Sequence, residues 1–352
     1  MRNKVIKLVL PLLAVLLLVS EAIAPTGGSN TLIGQKTAEG HVADAFNQTG
    51  YLYSEPAPIA SSIAPNDEYL DKQWALAKIQ ALDAWQLTSG GQDILIAVLD
   101  TGIDQTHVDL AGKVIANINF TQSPTVDDVN GHGTHIAGII GAIANNSSGI
   151  AGLAYNCSLM NVKVADDNGF CNAKAVAKGI IWAVDNGAKV INMSLTFAER
   201  DQALEDAVNY AWSKGAVLVC AAGNNGGSTP VYPAYYANCL SVTSTNGDGL
   251  LGQLANHGDW VDVAAPGVKI YSTLPNNSFG YESGTSMATA YVSGEAGLLL
   301  SVVSDTNGNG LLNDEVRNVI EGSCDKIGIS DVGIGRINAF RAVRQASGLS
   351  SN

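Results

Sequence analysis

Charge is scarce in this chain. Only 14% of its 352 residues are Asp, Glu, Lys or Arg, and the formal balance is −13. Beyond the first seven residues there is no block of Lys and Arg. Nucleic acid is held by clustered cations, so it is not an expected partner. Aromatic residues are also few, at 6%. The five cysteines, Cys157, Cys171, Cys220, Cys239 and Cys324, have no zinc-site spacing. Their odd number leaves at least one thiol unpaired within a monomer. Cys157 and Cys171 are close enough in sequence to bridge. Cys220 and Cys239 lie in or beside apolar runs and fit buried thiols at least as well. No internal repeat is present. What remains is an apolar, small-residue chain, 46% hydrophobic with 38 glycines, the composition of a tightly packed α/β interior.

The basic start "MRNKVIK" leads into an apolar run, Leu8–Val19, and then Ala22-Ile23-Ala24. As helix the run spans about 18 Å, short of a bilayer core of about 30 Å. Residues 1–24 therefore read as a secretory signal, and the product as secreted. The alternative is an uncleaved membrane anchor through residues 8–19, favoured by Pro25 just after the cleavage position. No Cys follows the run, which speaks against a lipoprotein. Residues 25–64 are rich in Gly, Ser, Thr, Pro and Ala and read as a short pro-segment or linker of disordered composition.

From Tyr69 onward apolar runs alternate with helical patterns. Strands are expected at Ile94–Leu99, Leu159–Val164, Val190–Met193, Ala216–Cys220 and Leu240–Thr243. Helices are expected over Gly131–Ala144, Ala173–Asn186 and Asp201–Lys214. Near-continuous apolar strands alternating with helices indicate a buried parallel sheet, with chemistry outside the carboxyl ends of its strands.

Three small-residue turns stand at such ends. "IAVLDTGID" puts Asp100 after a strand, "NGHGTHIAGIIGAI" puts His132 at a helix start, and "SGTSMATAYVSGEAGLLL" puts Ser286 at another. Each alone is weak, since an Asp after a strand is often a cap. Together they form a chemical set. A serine hydroxyl needs a neutral imidazole to take its proton, and the imidazole needs a carboxylate to fix its tautomer.

With these three in the order Asp, His, Ser, the chain resembles the subtilisin-like serine proteases, and within them the thermitase branch. The resemblance runs from about Asn66 to about Val343, through "DTGID", "GHGTHIAGIIGA", "NNSSGIAGLA", "AAGNNG", "VDVAAPG" and "SGTSMAT". It implies a three-layer α/β fold over residues 65–347, with a mostly parallel central sheet and helices on both faces. It implies a serine endopeptidase acting on polypeptides, monomeric by family default. Asp100, His132 and Ser286 would be the triad, and Asn224 the oxyanion donor beside the Ser286 N–H. Ser194, Leu195 and Thr196 would form one wall of the P1 pocket, and Ala221, Ala222 and Gly223 the other. His135 would be structural. His107 and His257 look like loop or surface positions, and His41 precedes the domain.

The resemblance also implies calcium. The side chains of Asp67, Asp109 and Asn146 and the carbonyls of Ile143, Ser148 and Ile150 would hold one ion. The alternative is an Asn/Ser-rich loop without metal. Asp305, Asn307 and Asn309 begin an EF-hand-like run, but its twelfth residue is Val316 and Glu315 falls one short, so a solvated turn is an equal reading. Three departures from the family stand out. Ala290-Tyr291 replaces Pro-His after the serine, Thr196-Phe197 replaces Gly-Gly at the pocket wall, and the pro-segment is short. Ala is a good helix former and neither substitution removes a proton carrier, so a working enzyme is expected. A binding module on the same fold would be expected to lack a triad or oxyanion residue. A nucleotide-binding enzyme would need a phosphate loop, and none is present.

Overall fold

The computed structural model describes residues 30–32 and 64–349. The strands of its main sheet are β2 (Leu95–Asp100), β3 (Val114–Asn119), β4 (Ser158–Lys163), β6 (Val190–Met193), β7 (Val217–Ala221), β8 (Cys239–Thr245) and β9 (Val263–Pro266). They lie in the order β3-β4-β2-β6-β7-β8-β9, each parallel to its neighbour. Alternation explains the composition. Leu95, Ala97 and Leu99 enter the core on one face of β2, and Ile96 and Val98 the core on the other. With both faces covered, every position must be apolar or bonded.

On the Leu95 side pack α4 (Ala173–Asp185) and α5 (Gln202–Ser213). On the Ile96 side pack α1 (Trp74–Lys78), α2 (Ala81–Ala84), α3 (His132–Gly141), α6 (Thr285–Leu300), α7 (Asn313–Ser323) and α8 (Ala339–Ala346). This is the expected three-layer α/β fold. Side-chain caps start several helices: Asn172 accepts from the Ala175 N–H, Asp201 from Leu204, and Asn338 from Arg341.

Six of the described strands were not legible as apolar runs. β3 is an edge strand whose residues alternate between half-buried and exposed. β9 is only "VAAP". β10 (Ile270–Leu274) and β11 (Ser278–Glu282) form a hairpin closed through Asn276 and Asn277, both at positive φ. A small antiparallel pair joins β1 (Asn30–Leu32) to β5 (Phe170–Asn172). Part of the segment whose composition suggests disorder thus lies as a strand on the body of the protein. Residues 1–24, His41 and the rest of 25–63 lie outside the described residues.

All five cysteines are buried, and none is in a disulfide. The Cys157–Cys171 bridge does not form because Cys157 belongs to the core on one face of the sheet and Cys171 to the core on the other. Among the described residues no helix is long and apolar enough to cross a membrane.

Candidate active site

The carboxyl ends of β2, β6 and β7 and the amino ends of α3 and α6 converge. Asp100 closes β2 and is fully buried. Its Oδ1 accepts hydrogen bonds from the Thr101 N–H at 2.8 Å and from His132 Nδ1 at 2.8 Å. The approach of α3 to β2 depends on glycine. A Cβ on Gly133 would lie 2.1 Å from the Gly102 carbonyl oxygen and 3.1 Å from Asp100 Cβ. That is the physical reason for the second glycine of "GHGTH".

His132 opens α3 and is buried. Burial opposes its imidazolium form, but the charge of Asp100 and the hydrogen bond to it outweigh that penalty, so His132 is held above the ordinary imidazole range. Its Nε2 has no protein hydrogen-bond partner among the described residues. Ser286, second residue of α6, is buried, and its Oγ lies 3.5 Å from the Ser194 carbonyl oxygen. Asp100 and His132 are therefore in contact, while Ser286 is turned toward Ser194. Such bonds are often long before substrate arrives.

A buried polar chain fixes the serine's backbone. Ser293 Oγ donates to Asn192 Oδ1 at 2.8 Å, Asn192 Nδ2 to Ser194 Oγ at 3.0 Å, and Ser194 Oγ to the Ser286 carbonyl at 3.0 Å. Asn224 is tied by its oxygen, which accepts from the Thr285 N–H at 2.9 Å and from Thr285 Oγ1 at 3.2 Å. Its Nδ2 is thereby directed beside Gly284, where a Cβ would stand 3.1 Å from it. The runs Ser194–Thr196 and Ala221–Gly223 follow the adjacent strands β6 and β7. Across the gap between them, Thr196 Cγ2 lies 3.6 Å from where a Gly223 Cβ would be.

Two residues that hold the site escaped the sequence reading. Gly131, at φ 107°, precedes α3 without a side-chain cap, and Asp128 supplies one. Its Oδ1 accepts from Thr101 Oγ1 (2.9 Å) and the Gly131 N–H (2.8 Å), and its Oδ2 from the N–H (2.8 Å) and Oγ1 (2.7 Å) of Thr134. One carboxylate thus couples the turn after Asp100 to the start of the His132 helix. An acid three residues before the glycine was the available signal. The fully buried Lys163 donates to the carbonyls of Thr101 and Asp127 and to Asp167. A lysine closing the strand "SLMNVK" was the signal there.

His135 is structural as expected, its Nε2 shared between the carbonyls of Ile270 (3.1 Å) and Gly280 (3.2 Å). His257 is half-buried in a loop. His107 is not a surface position. It is fully buried, with Nε2 donating to the Ser278 carbonyl and Nδ1 accepting from the Asp109 N–H. Ala290 and Tyr291 are buried within an unbroken α6.

The six residues expected around calcium come together at loop 143–150. Asp67 accepts from the Asn145 N–H at 2.9 Å, and Asp109 accepts from Asn146 Nδ2 at 2.9 Å and the Ile150 N–H at 2.8 Å. The Asn146 side-chain oxygen takes the Ser148 N–H, and the Ile143 N–H donates to the Asp109 carbonyl. Burial raises both carboxyls, and the charge of Asp67 raises Asp109 further. Two buried carboxylates in mutual repulsion fit a hard dication better than they fit each other. No three His, Cys, Asp or Glu side chains gather as a metal cluster among the described residues; this set has only two, completed by amide and carbonyl oxygens. At Asp305–Asn309 the turn closes on itself. Asp305 accepts from the Gly308 and Gly310 N–H groups, and the Asn307 and Asn309 amides both donate to Asp314.

Known proteins carry the same pattern. Residues 91–335 match the model of the subtilase family. The chain is 46% identical over 286 residues to thermitase of Thermoactinomyces vulgaris, covering 80% of this chain and 99% of that one. It is 44% identical over 310 residues to a thermophilic serine proteinase of Bacillus sp. strain AK1, covering 86% and 75%. A solved protease of Pseudoalteromonas arctica PAMC 21717 superposes with a TM-score of 0.74 at 28% identity, covering 81% of this chain and all of that one. The chain thus belongs to the subtilase family, near thermitase, and is a serine endopeptidase of the subtilisin type.

Proposed function

We propose that the endopeptidase works through Asp100, His132 and Ser286. The observation that carries this reading is the buried Asp100–His132 bond at 2.8 Å, which leaves Nε2 as the unpartnered end of the ring. In the neutral ring Nδ1 carries the hydrogen and Nε2 the lone pair. Nε2 takes the Ser286 proton as Oγ attacks the scissile carbonyl carbon. The carbonyl oxygen becomes negative and is met by Asn224 Nδ2 and by the Ser286 N–H, one of the first amides of α6, which have no partner within the helix. Nε2 then gives its proton to the leaving amine as the C–N bond breaks, and an acyl-enzyme remains. A water deprotonated by the same nitrogen releases the acid. Asp100 keeps its charge throughout and stabilises the imidazolium.

The substrate is an extended polypeptide. Its model within the chain is β1, which adds to the free edge of β5 in antiparallel register. β5 adjoins the triad: the Ala165 N–H donates to the Asp100 carbonyl, and Ala165 bridges Cys171. By occupying that edge, residues 30–32 would act as a short inhibitory tail. Between the two pocket walls the Thr196 methyl narrows the slot to small P1 side chains. The basic, apolar and small-residue order of residues 1–24 supports a secreted enzyme.

Calcium belongs to this reading as a structural ion. Asp67, Asp109 and Asn146, with the carbonyls of Ile143, Ser148 and Ile150, would hold it, and its charge would neutralise two buried carboxylates. Asp67 would then tether the start of the domain to the loop beyond α3.

The test is hydrolysis of a peptide library varied at P1, with Ser286→Ala as control. The enzyme should prefer small P1 residues, Thr196→Gly should admit aromatic ones, and Ser286→Ala should cleave nothing. Activity retained in Ser286→Ala would end the triad assignment, and aromatic preference in the wild type would end the role given to Thr196.

A further inference from the structure

Among the described residues six acidic side chains are buried: Asp67, Asp100, Asp109, Asp128, Glu295 and Glu315. Five of them accept hydrogen bonds. Glu295 is the exception. It is fully buried on α6, and neither of its carboxyl oxygens has a partner among the described residues. A carboxylate in such a place would be among the most costly groups a core can hold, whereas a neutral carboxylic acid is tolerable.

Among the described residues the elements packed on α6 offer it no cation. On α7, Arg317 is engaged by Asp262 and Glu321. Arg336, and Arg341 on α8, are engaged by Asp325, while Arg344 lies over the Phe340 ring. Cys324 and Asp325, at the end of α7, are the titratable groups that sense Glu295, and Asp325 repels its charge. β9 has no titratable side chain, and β7 and β8 bring only the buried thiols Cys220 and Cys239. On α3, His132 is held by Asp100 and His135 by two carbonyls. On α6 itself, Tyr291 is buried one turn before Glu295, its phenol pushed up by burial.

We propose that Glu295 is an alkaline release built into the helix that carries Ser286: protonated, it packs as a core residue, and loss of its proton opens α6 from α7 and α8. Burial, with Asp325 adding repulsion, lifts the carboxyl from its ordinary 4.5 to about 8. The folded chain therefore keeps a proton that the unfolded chain has already lost. The folded state then binds more protons than the unfolded one between these values, so stability falls as pH rises through that window. The loss is tenfold in the folding constant per pH unit and is complete above about 8. The device makes a protease that is most secure in mildly acidic medium and loosens, and so becomes open to its own kind, in alkaline medium.

The test is urea unfolding of the full chain carrying Ser286→Ala, which prevents self-digestion, alone and with Glu295→Gln or Glu295→Ala. Measurements run from about pH 5 to about pH 9.5. His132 and the calcium-site carboxylates titrate in all three proteins and cancel from the ratio of unfolding constants. That ratio, acid over amide, should rise about tenfold per pH unit up to about pH 8 and then level off. A ratio independent of pH would overturn the proposal. Should neither variant fold, hydrogen exchange in the parent chain decides. Protection of the α6 amides should fall about tenfold per pH unit beyond the base dependence of exchange itself, and protection that stays constant would overturn it.

Discussion

Asp100 and Glu295 are both wholly inaccessible carboxyl groups in one domain, and each has an oxygen without a partner among the described residues, yet only Asp100 has donors on its other oxygen. Asp100 lies at a strand end where the Thr101 N–H and His132 Nδ1 both donate to it. Glu295 lies mid-helix with no donor among the described residues. Burial alone therefore does not decide what a carboxyl does. At Asp100 the donors make the charge usable, and it is spent on raising the basicity of His132. At Glu295 their absence makes the proton part of the structure. The same low-dielectric interior holds a hydrogen-bonded carboxyl beside His132 in one place and an unanswered one in the other, and the difference is hydrogen-bond supply.

Removing the charge at Asp100 should sharpen that contrast most. Asp100→Asn should lower kcat/KM by about 10⁴ with little change in fold, because the amide holds the wrong imidazole tautomer. A loss below tenfold would show that the pair is only structural. Next in size is Asn224→Ala, expected to lower kcat by about 10²–10³ with KM nearly unchanged, a magnitude measured on this family's own oxyanion asparagine. A change confined to KM would place Asn224 in substrate binding instead. The third effect is on stability. Chelation with EGTA should lower the melting temperature of the Ser286→Ala protein, since an ion at one hundred times its Kd contributes about 2.7 kcal/mol. Unchanged melting would remove calcium from loop 143–150.

The smallest effect is a displacement in pH. His132 must be neutral to act as base, so activity rises as it loses its proton. With Asp100 holding it up, the acid limb of kcat/KM should lie above the ordinary imidazole value of 6.5. In Asp100→Asn the limb should move down, since the charge that favours imidazolium is gone. A limb at the same pH in both proteins would break the electrostatic link between the two residues.

Much of the candidate site was legible because Asp100, His132 and Ser286 each sit in a turn of small residues at the end of an apolar element. The sheet was legible because strands buried on both faces need unbroken apolar runs. β3 was not, since an edge strand alternates, and β9 was not because "VAAP" has only one β-branched residue and ends in proline. Asp128 and Lys163 were missed because their roles are third-party. They bond the backbone that carries Asp100 and His132, and no local spacing announces a partner 27 or 62 residues away. His107 was misread because its segment has loop composition, although its ring stacks edge-on against Phe279 from the distant hairpin. Glu295 was visible as one charge inside "SGEAGLLL", but only the packing of α7 and α8 over it shows that nothing answers that charge.

The most direct test of the central claim is labelling of the purified protein with a fluorophosphonate, with the modified residue located by mass spectrometry. One adduct is expected, on Ser286, absent in Ser286→Ala and strongly slowed in Asp100→Asn. A folded, processed protein that takes no label, or takes it at the same rate without Asp100, would contradict the claim.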